Sequence, residues 1–581
     1  MNNQQEETNI LNKHKNDPYQ LINSALALQR QYPFDSEEFC ILISEFINSK
    51  QLDIFRITLI AINSGINIFD AATLMVKILS RLDIINPDSL LDFLALFGES
   101  TKNDLASNMF YEPIKGLAGI INKNTDKIET TILTRKDSRL YGYLNAIYLG
   151  AVSKDFNVGY EKILMLLNSG DNELIATGLR SLGTISELSI SKIQEIQNRV
   201  SDFCLNENMT IATNAVFALC KFAEKEKALK EKIIYFSKSI HPEIQYEIAR
   251  YLQSKAAVFD EYHLELTLNI CHYDLKWNGI SQSLDFILFE LDNNNRIEET
   301  IQIINKWISS HGRESLQNIK FEEIFHYSIN NIIKNQTLLS YFATNWLNSD
   351  DSRFHYILSR LFDYLCIYNK TPVELNPEML ITLERNDLLY ILRKILGYIH
   401  DYEKSIYLVA SLLKIKLTPD STNLIKSTLI EEYGSRHPLK AIEILKSLLT
   451  KDSKYSVGSK KILRACLKEI TKQNLQLEKL DRIPELQPNI DTQIKLKLAM
   501  QKSISNASAE ALNSSVFLGC ANCIQLKEGY SWFSYNQEQD IIVNKMQKLS
   551  HSIDVPRGEM LDEVGMALAR FNYRCVKRGE Q

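Results

Sequence analysis

The chain has 581 residues, 45% of them hydrophobic and 24% charged, and a formal net charge of −5. That balance excludes both a globally basic nucleic-acid coat and an acidic disordered chain. Glycine (20) and proline (12) are scarce over this length, against usual shares of about 7% and 5%, so helix is expected throughout. Alternating strand runs closed by tight turns are nearly absent. The nine cysteines are scattered singly apart from Cys520 and Cys523, which fits reduced thiols and a cytoplasmic setting. The polar start, Met1-Asn-Asn-Gln-Gln-Glu-Glu, does not read as a secretory signal, and no apolar run reaches the ~20 residues that span a bilayer.

Residues 1–17 are rich in Asn, Gln, Glu and Lys and are expected to stay disordered, with little apolar surface to bury. Residues 18–348 form the expected N-terminal helical array. It opens with Leu21, Ile22, Ala25 and Leu28 at helical spacing. Asp35-Ser-Glu-Glu reads as an N-terminal cap before Phe39, Leu42, Ile43 and Phe46, and Asn86-Pro-Asp-Ser opens a further helix.

The pattern becomes periodic from Asp171 to Ala256. Leu174, Ile211 and Ile244 occupy equivalent positions, at steps of 37 and 33 residues. Gly178, Ala215 and Ile248 fill the next position, followed by Leu179, Val216 and Ala249, and then Leu182, Leu219 and Leu252. One step back, Leu149-Gly-Ala-Val-Ser mirrors Leu182-Gly-Thr-Ile-Ser. Second amphipathic stretches alternate with these: Ile190, Ile193, Ile196, Val200 and Phe203, then Leu229, Ile233, Phe236 and Ile240. Ser169-Gly-Asp-Asn, Asn206-Glu-Asn and His241-Pro supply the caps between them. A hairpin of this size cannot bury its apolar face alone, so neighbours must stack. The small residues of the second helix and the Leu-Gly-x-Ile/Val endings over about 140–256 resemble the HEAT-repeat family of α-solenoids. The Arg usual in that family after the aligned Leu174 position is replaced by Ile175, Ala212 and Gln245. The resemblance implies an all-α fold, an α-solenoid of stacked helical hairpins in two arms, and a protein-binding role.

Polar breaks at Asn348-Ser-Asp-Asp-Ser and Asn369-Lys-Thr-Pro are expected to bracket the joint between the arms. Residues 349–511 form the second arm. Within it, the stretches from Leu392 and from Pro438 resemble tetratricopeptide-type hairpins. Residues 512–581 are expected to be a helical cap, with Leu561, Val564, Leu568 and Phe571 on one face of a helix opened by Pro556.

No phosphate-binding loop, nucleophile elbow or His-x-x-x-His helix is present. Cys520-Ala-Asn-Cys523 lacks the second ligand pair of a structural zinc site, so packing is its expected role. The expectation is no catalysis, no cofactor and no metal. Two sets of side chains are candidate contacts instead. Arg180, Thr213, Lys221, Gln245 and Arg250 lie on the second helices, which are expected to line a concave surface. Lys461, Arg464, Lys468 and Lys472, with Lys460 at the edge, form one helical stripe about 16 Å long. Between Lys451 and Arg482 nine basic residues face four acidic ones. Such a stripe suits an acidic protein or several phosphates, or serves simply as a solvated face.

The expected function is therefore a scaffold or adaptor subunit that binds partner proteins. Nucleic-acid binding through the stripe is the alternative, and no membrane is involved. The Ile-, Asn- and Lys-heavy usage points to a low-GC bacterial gene and an accessory role in a multi-gene system such as phage defence.

Overall fold

The computed structural model describes residues 2–33, 36–101, 108–119, 123–317, 319–368, 371–381, 383–451, 455–479, 531–535, 541–545 and 563–579, with positions 490, 491, 493, 494, 497, 498 and 501. Asp35, Cys520, Cys523, His551, Pro556 and Leu561 lie outside the described residues.

Among the described residues the chain is all-α apart from one hairpin. The helices of its first part are α1 (Asn2–His14), α2 (Pro18–Gln29), α3 (Glu37–Lys50), α4 (Ile54–Asn63), α5 (Ile68–Ile78), α6 (Pro87–Thr101), α7 (Tyr111–Gly119), α8 (Lys123–Arg135) and α9 (Tyr141–Lys154). They continue as α10 (Phe156–Leu166), α11 (Asn172–Thr184), α12 (Ile190–Phe203), α13 (Met209–Ala223), α14 (Lys230–Ser237), α15 (Pro242–Ser254), α16 (Glu261–Ile270), α17 (Asn278–Asn293) and α18 (Ile297–Ser310). There follow α19 (Arg313–Gln317), α20 (Phe321–Ile324), α21 (His326–Ile332), α22 (Gln336–Leu347), α23 (Ser352–Tyr368), α24 (Pro377–Leu380), α25 (Arg385–Tyr398) and α26 (Tyr402–Ser411). The last are α27 (Pro419–Ser427), α28 (Pro438–Lys451), α29 (Val457–Glu478) and α30 (Glu563–Cys575). The aromatic stretch Ser531–Tyr535 forms β1 and pairs antiparallel with β2 (Ile541–Lys545). Among the described residues, no helix is long and apolar enough to cross a membrane.

Two compact units divide at Trp307 and Ile308. The polar break at Asn348, expected to mark a joint, lies inside the second unit. Asn348 is the C-cap of α22, and its side chain accepts a hydrogen bond from Arg578.

In the first unit, α7, α9, α11, α13, α15 and α17 lie side by side, each packing on the next but one in sequence. The intervening helices α10, α12, α14 and α16 pack against them as a second layer. This is a solenoid of stacked hairpins, and the aligned positions explain it. Leu179, Val216 and Ala249, like Leu182, Leu219 and Leu252, are fully buried, each leucine contributing about 1.5–3 kcal/mol. Small residues set the spacing. A Cβ on Gly150 would sit 2.3 Å from the Lys115 carbonyl oxygen, and one on Gly183 would sit 2.9 Å from Ala218 Cα. The side-chain oxygens of Asp171 and Asn208 accept from the first-turn amides of α11 and α13, as their sequence positions imply. Ser36 caps α3, and Pro242 opens α15.

The segment expected to be a disordered tail carries α1, which packs on α2 and α3. Its Leu11 is buried, and Glu7 accepts a hydrogen bond from the Tyr32 hydroxyl at 2.8 Å.

In the second unit, α25 packs on α23 and α26, α26 packs on α28, and α28 packs on α29. A π-helical segment, Thr428–Gly434, links α27 to α28. The C-terminal helix α30 packs on α25, in the middle of this unit's sequence.

Candidate functional site

The first candidate set lies on the α11–α13–α15 layer, but its members differ in what they are free to do. Gln245 does not reach a surface. It is 2% exposed, donates from Nε2 to the Ser239 carbonyl at 2.8 Å, and sits 2.9 Å from His272 Nε2. Its place in α15 turns it toward the turn before that helix and the turn after α16, so it ties two loops together. Thr213 is half-buried and returns its hydroxyl to the Met209 carbonyl at 2.8 Å.

Arg180 is a cross-repeat tie. Its guanidinium stacks 3.8 Å above the Phe217 ring of α13 and reaches Glu247 of α15 at 3.2 Å. Arg250 is exposed and pairs with the other oxygen of Glu247 at 3.3 Å. Lys221 joins Glu224 at 3.2 Å, and Lys255 joins the same carboxylate at 2.8 Å. Burial alone would raise the Glu224 carboxyl, but the two ammonium groups outweigh it and hold it below the usual range. Half-buried Phe217 and Tyr246 stand among these charges, under Arg180 and Arg250 respectively. The layer therefore presents a preset aromatic and arginine surface, the composition that dominates protein interfaces. Phe217, Tyr246 and Glu247 were not singled out from the sequence. Their signal was available: each stands one helical turn, or less, from a chosen polar residue.

The second set behaves differently. Lys461, Arg464, Lys468 and Lys472 are all exposed on α29, and Lys460 is half-buried beside them. Among the described residues, none of the four stripe cations makes an ion pair or a hydrogen bond through its side chain. The opposite side of α29 buries Leu463, Cys466 and Ile470, which fixes the direction of the stripe.

Burial pushes the Cys204 and Cys271 thiols up to about 12 and Cys466 to about 11, so they stay protonated and unreactive near neutrality. Among the described residues, no three His, Cys, Asp or Glu side chains gather as metal ligands. A cleft of about 630 Å³ opens between the α12–α13 and α14–α15 turns, lined by Leu205, Met209, Tyr235 and Ile244.

No family model matches the chain, and no curated protein matches it. Solved structures similar to it include an engineered protein, at 14% identity over 81% of this chain and 99% of that one, with a TM-score of 0.22. UNC-45 from Drosophila melanogaster is similar at 12% identity over 82% of this chain and 67% of that one, with a TM-score of 0.22. Likeness at this level carries no functional conclusion. The solenoid fold stands on the helix packing of the chain itself.

Proposed function

We propose that the chain is a non-catalytic scaffold or adaptor subunit, HEAT-like in its first unit, that holds partner proteins in the cytoplasm. The observation that carries this reading is the continuous α11–α13–α15 layer, with Arg180, Phe217, Tyr246, Glu247 and Arg250 interlocked across three helices. Side chains already paired lose little freedom on binding, so such a surface suits a protein partner. An accessory role in a bacterial multi-gene system, such as phage defence, is the biological setting we assign to it.

The test is affinity purification of tagged chain from its host, with and without nuclease. A stoichiometric protein that survives nuclease, and is lost on Arg250→Glu with Lys221→Glu, supports the reading. Retention of every partner by that variant overturns the assignment of this face.

The unpaired stripe on α29 favours a second reading, nucleic-acid binding. It requires affinity that falls steeply with salt, with a slope lowered by roughly 0.9 for each duplex-phosphate contact removed. Binding indifferent to salt, or to reversal of Arg464 and Lys468, counts against it.

A further inference from the structure

The C-terminal helix α30 is seated in the second unit the wrong way round for a structural helix. A permanent surface helix buries its apolar stripe and exposes its polar one. In α30, Val564, Leu568 and Phe571 are 79%, 58% and 59% exposed, while the half-buried side that faces the unit carries Arg570, Tyr573 and Arg574 beside Met566 and Ala569.

The contacts on that side are specific. Lys394 of α25, only 3% exposed, donates to the Arg574 carbonyl at 2.6 Å and the Val576 carbonyl at 2.9 Å. It thereby caps the C-terminal end of α30 with a cation, where the helix dipole favours one. Arg574 donates to the Gly397 carbonyl at 2.6 Å and lies 5.2 Å from the Tyr398 ring centroid. Arg578, just past the helix, lies 4.8 Å from the Tyr390 ring centroid, bonds Asp350 at 3.0 Å and also pairs with Asp387. The Tyr573 hydroxyl donates to Glu432 of the π-helical segment at 3.1 Å. Gly397 lets the backbones approach, since a Cβ there would lie 3.0 Å from the Arg574 amide nitrogen. Beneath α30 a gap of only about 40 Å³ remains, lined by Tyr402, Glu432, His437, Met566 and Arg570.

The geometry points to a helix-recognition groove on α25 and the π-helical segment, with α30 as its built-in occupant. Its external ligand is a partner protein's helix whose last turn carries Tyr-Arg, followed by a second arginine four residues on. The groove reads three features of such a helix. Tyr390 and Tyr398 offer aromatic faces to two guanidinium groups. Asp350, Asp387 and Glu432 supply carboxylates. The buried Lys394 ammonium meets the terminal carbonyls. Because α30 is held largely by polar bonds and cation–aromatic contacts, water competes for those contacts once it opens. A helix of the same chemistry can then replace it. This groove lies on a different unit from the α11–α13–α15 face, and either assignment can fail without the other.

The test uses the full-length chain and a fluorescent peptide of residues 563–579. Reversing the occupant in cis, with Arg574→Glu and Arg578→Glu together, vacates the groove. The variant is expected to bind the wild-type peptide at least tenfold more tightly than the unaltered chain does, by fluorescence anisotropy. The same peptide carrying both reversals is expected not to bind. Equal affinity of the two chains for the wild-type peptide, or equal binding of the two peptides, overturns the proposal. Hydrogen exchange on the unaltered chain gives a second readout that no folding defect can confuse. The α30 amides are expected to exchange at least tenfold faster than those of α25. Equal protection means that α30 is a fixed part of the unit and sinks the groove assignment.

Discussion

The α11–α13–α15 layer and the α29 stripe are both rows of cations on helices, yet they differ in what surrounds them. On the layer, Arg180 and Arg250 share Glu247, and Lys221 and Lys255 share Glu224. On the stripe, Lys461, Arg464, Lys468 and Lys472 project into solvent with no acid bound among the described residues. The lesson is that a cation's spacing along one helix says which way it points. The neighbouring helix decides whether its charge is already used. Paired arginines across repeats hold the array in register, whereas unpaired ones keep their full field for a ligand.

The sharpest way to break the layer is through its spacing. Gly150→Leu forces a side chain onto the Lys115 carbonyl and Ala118 of α7, and is expected to destabilise the first unit by about 3 kcal/mol. Gly142→Ala in the same helix meets nothing within 4 Å and is expected to be neutral or slightly stabilising. Urea denaturation followed by circular dichroism compares the two; equal stability would show that close approach does not organise the layer.

The second unit carries a pH dependence of similar size. His355 of α23 is 1% exposed, and burial, aided by the nearby Lys394 ammonium, pushes its ring from 6.5 down to about 4. The folded state thus keeps the ring neutral while the unfolded state binds a proton below pH 6.5. Its contribution is complete above that pH and is lost as pH falls toward 4, by about 3 kcal/mol in all. His355→Phe is expected to flatten the stability profile of this unit between pH 6.5 and 4. An unchanged slope in denaturation at several pH values would assign the effect to other groups.

Smaller effects separate the two cation rows directly. Arg180→Ala removes both the Phe217 stack and the Glu247 pair, an expected loss of about 1 kcal/mol after allowance for partial exposure. Single alanine substitutions at Lys461, Arg464, Lys468 or Lys472 are expected to shift stability by less than about 0.5 kcal/mol. Thermal melts of the five variants rank them; a stripe variant as costly as Arg180→Ala would mean that the stripe is structural.

The contrast also shows how far the chain could be read without its tertiary structure. Hairpin stacking was legible because its causes are local and repeated: Asp171 and Asn208 cap helices, Leu182, Leu219 and Leu252 recur in phase, and Pro242 opens α15. The direction of the α29 stripe followed from Leu463, Cys466 and Ile470 on the other side. The role of Gln245 was not legible, since its partners Ser239 and His272 belong to turns whose approach depends on the stack.

The sequence by itself determined the helical repeat, the caps and the face of each helix, because periodicity and capping act within a few residues of chain. Tertiary structure alone decided that α1 is held by Tyr32, that the units part at Trp307, and that α30 returns to α25 with its apolar side outward. Those outcomes depend on pairs such as Arg578 and Asn348, 230 residues apart. Contacts across such separations are set by which surfaces meet after the repeats have stacked, and no local pattern in the chain encodes them.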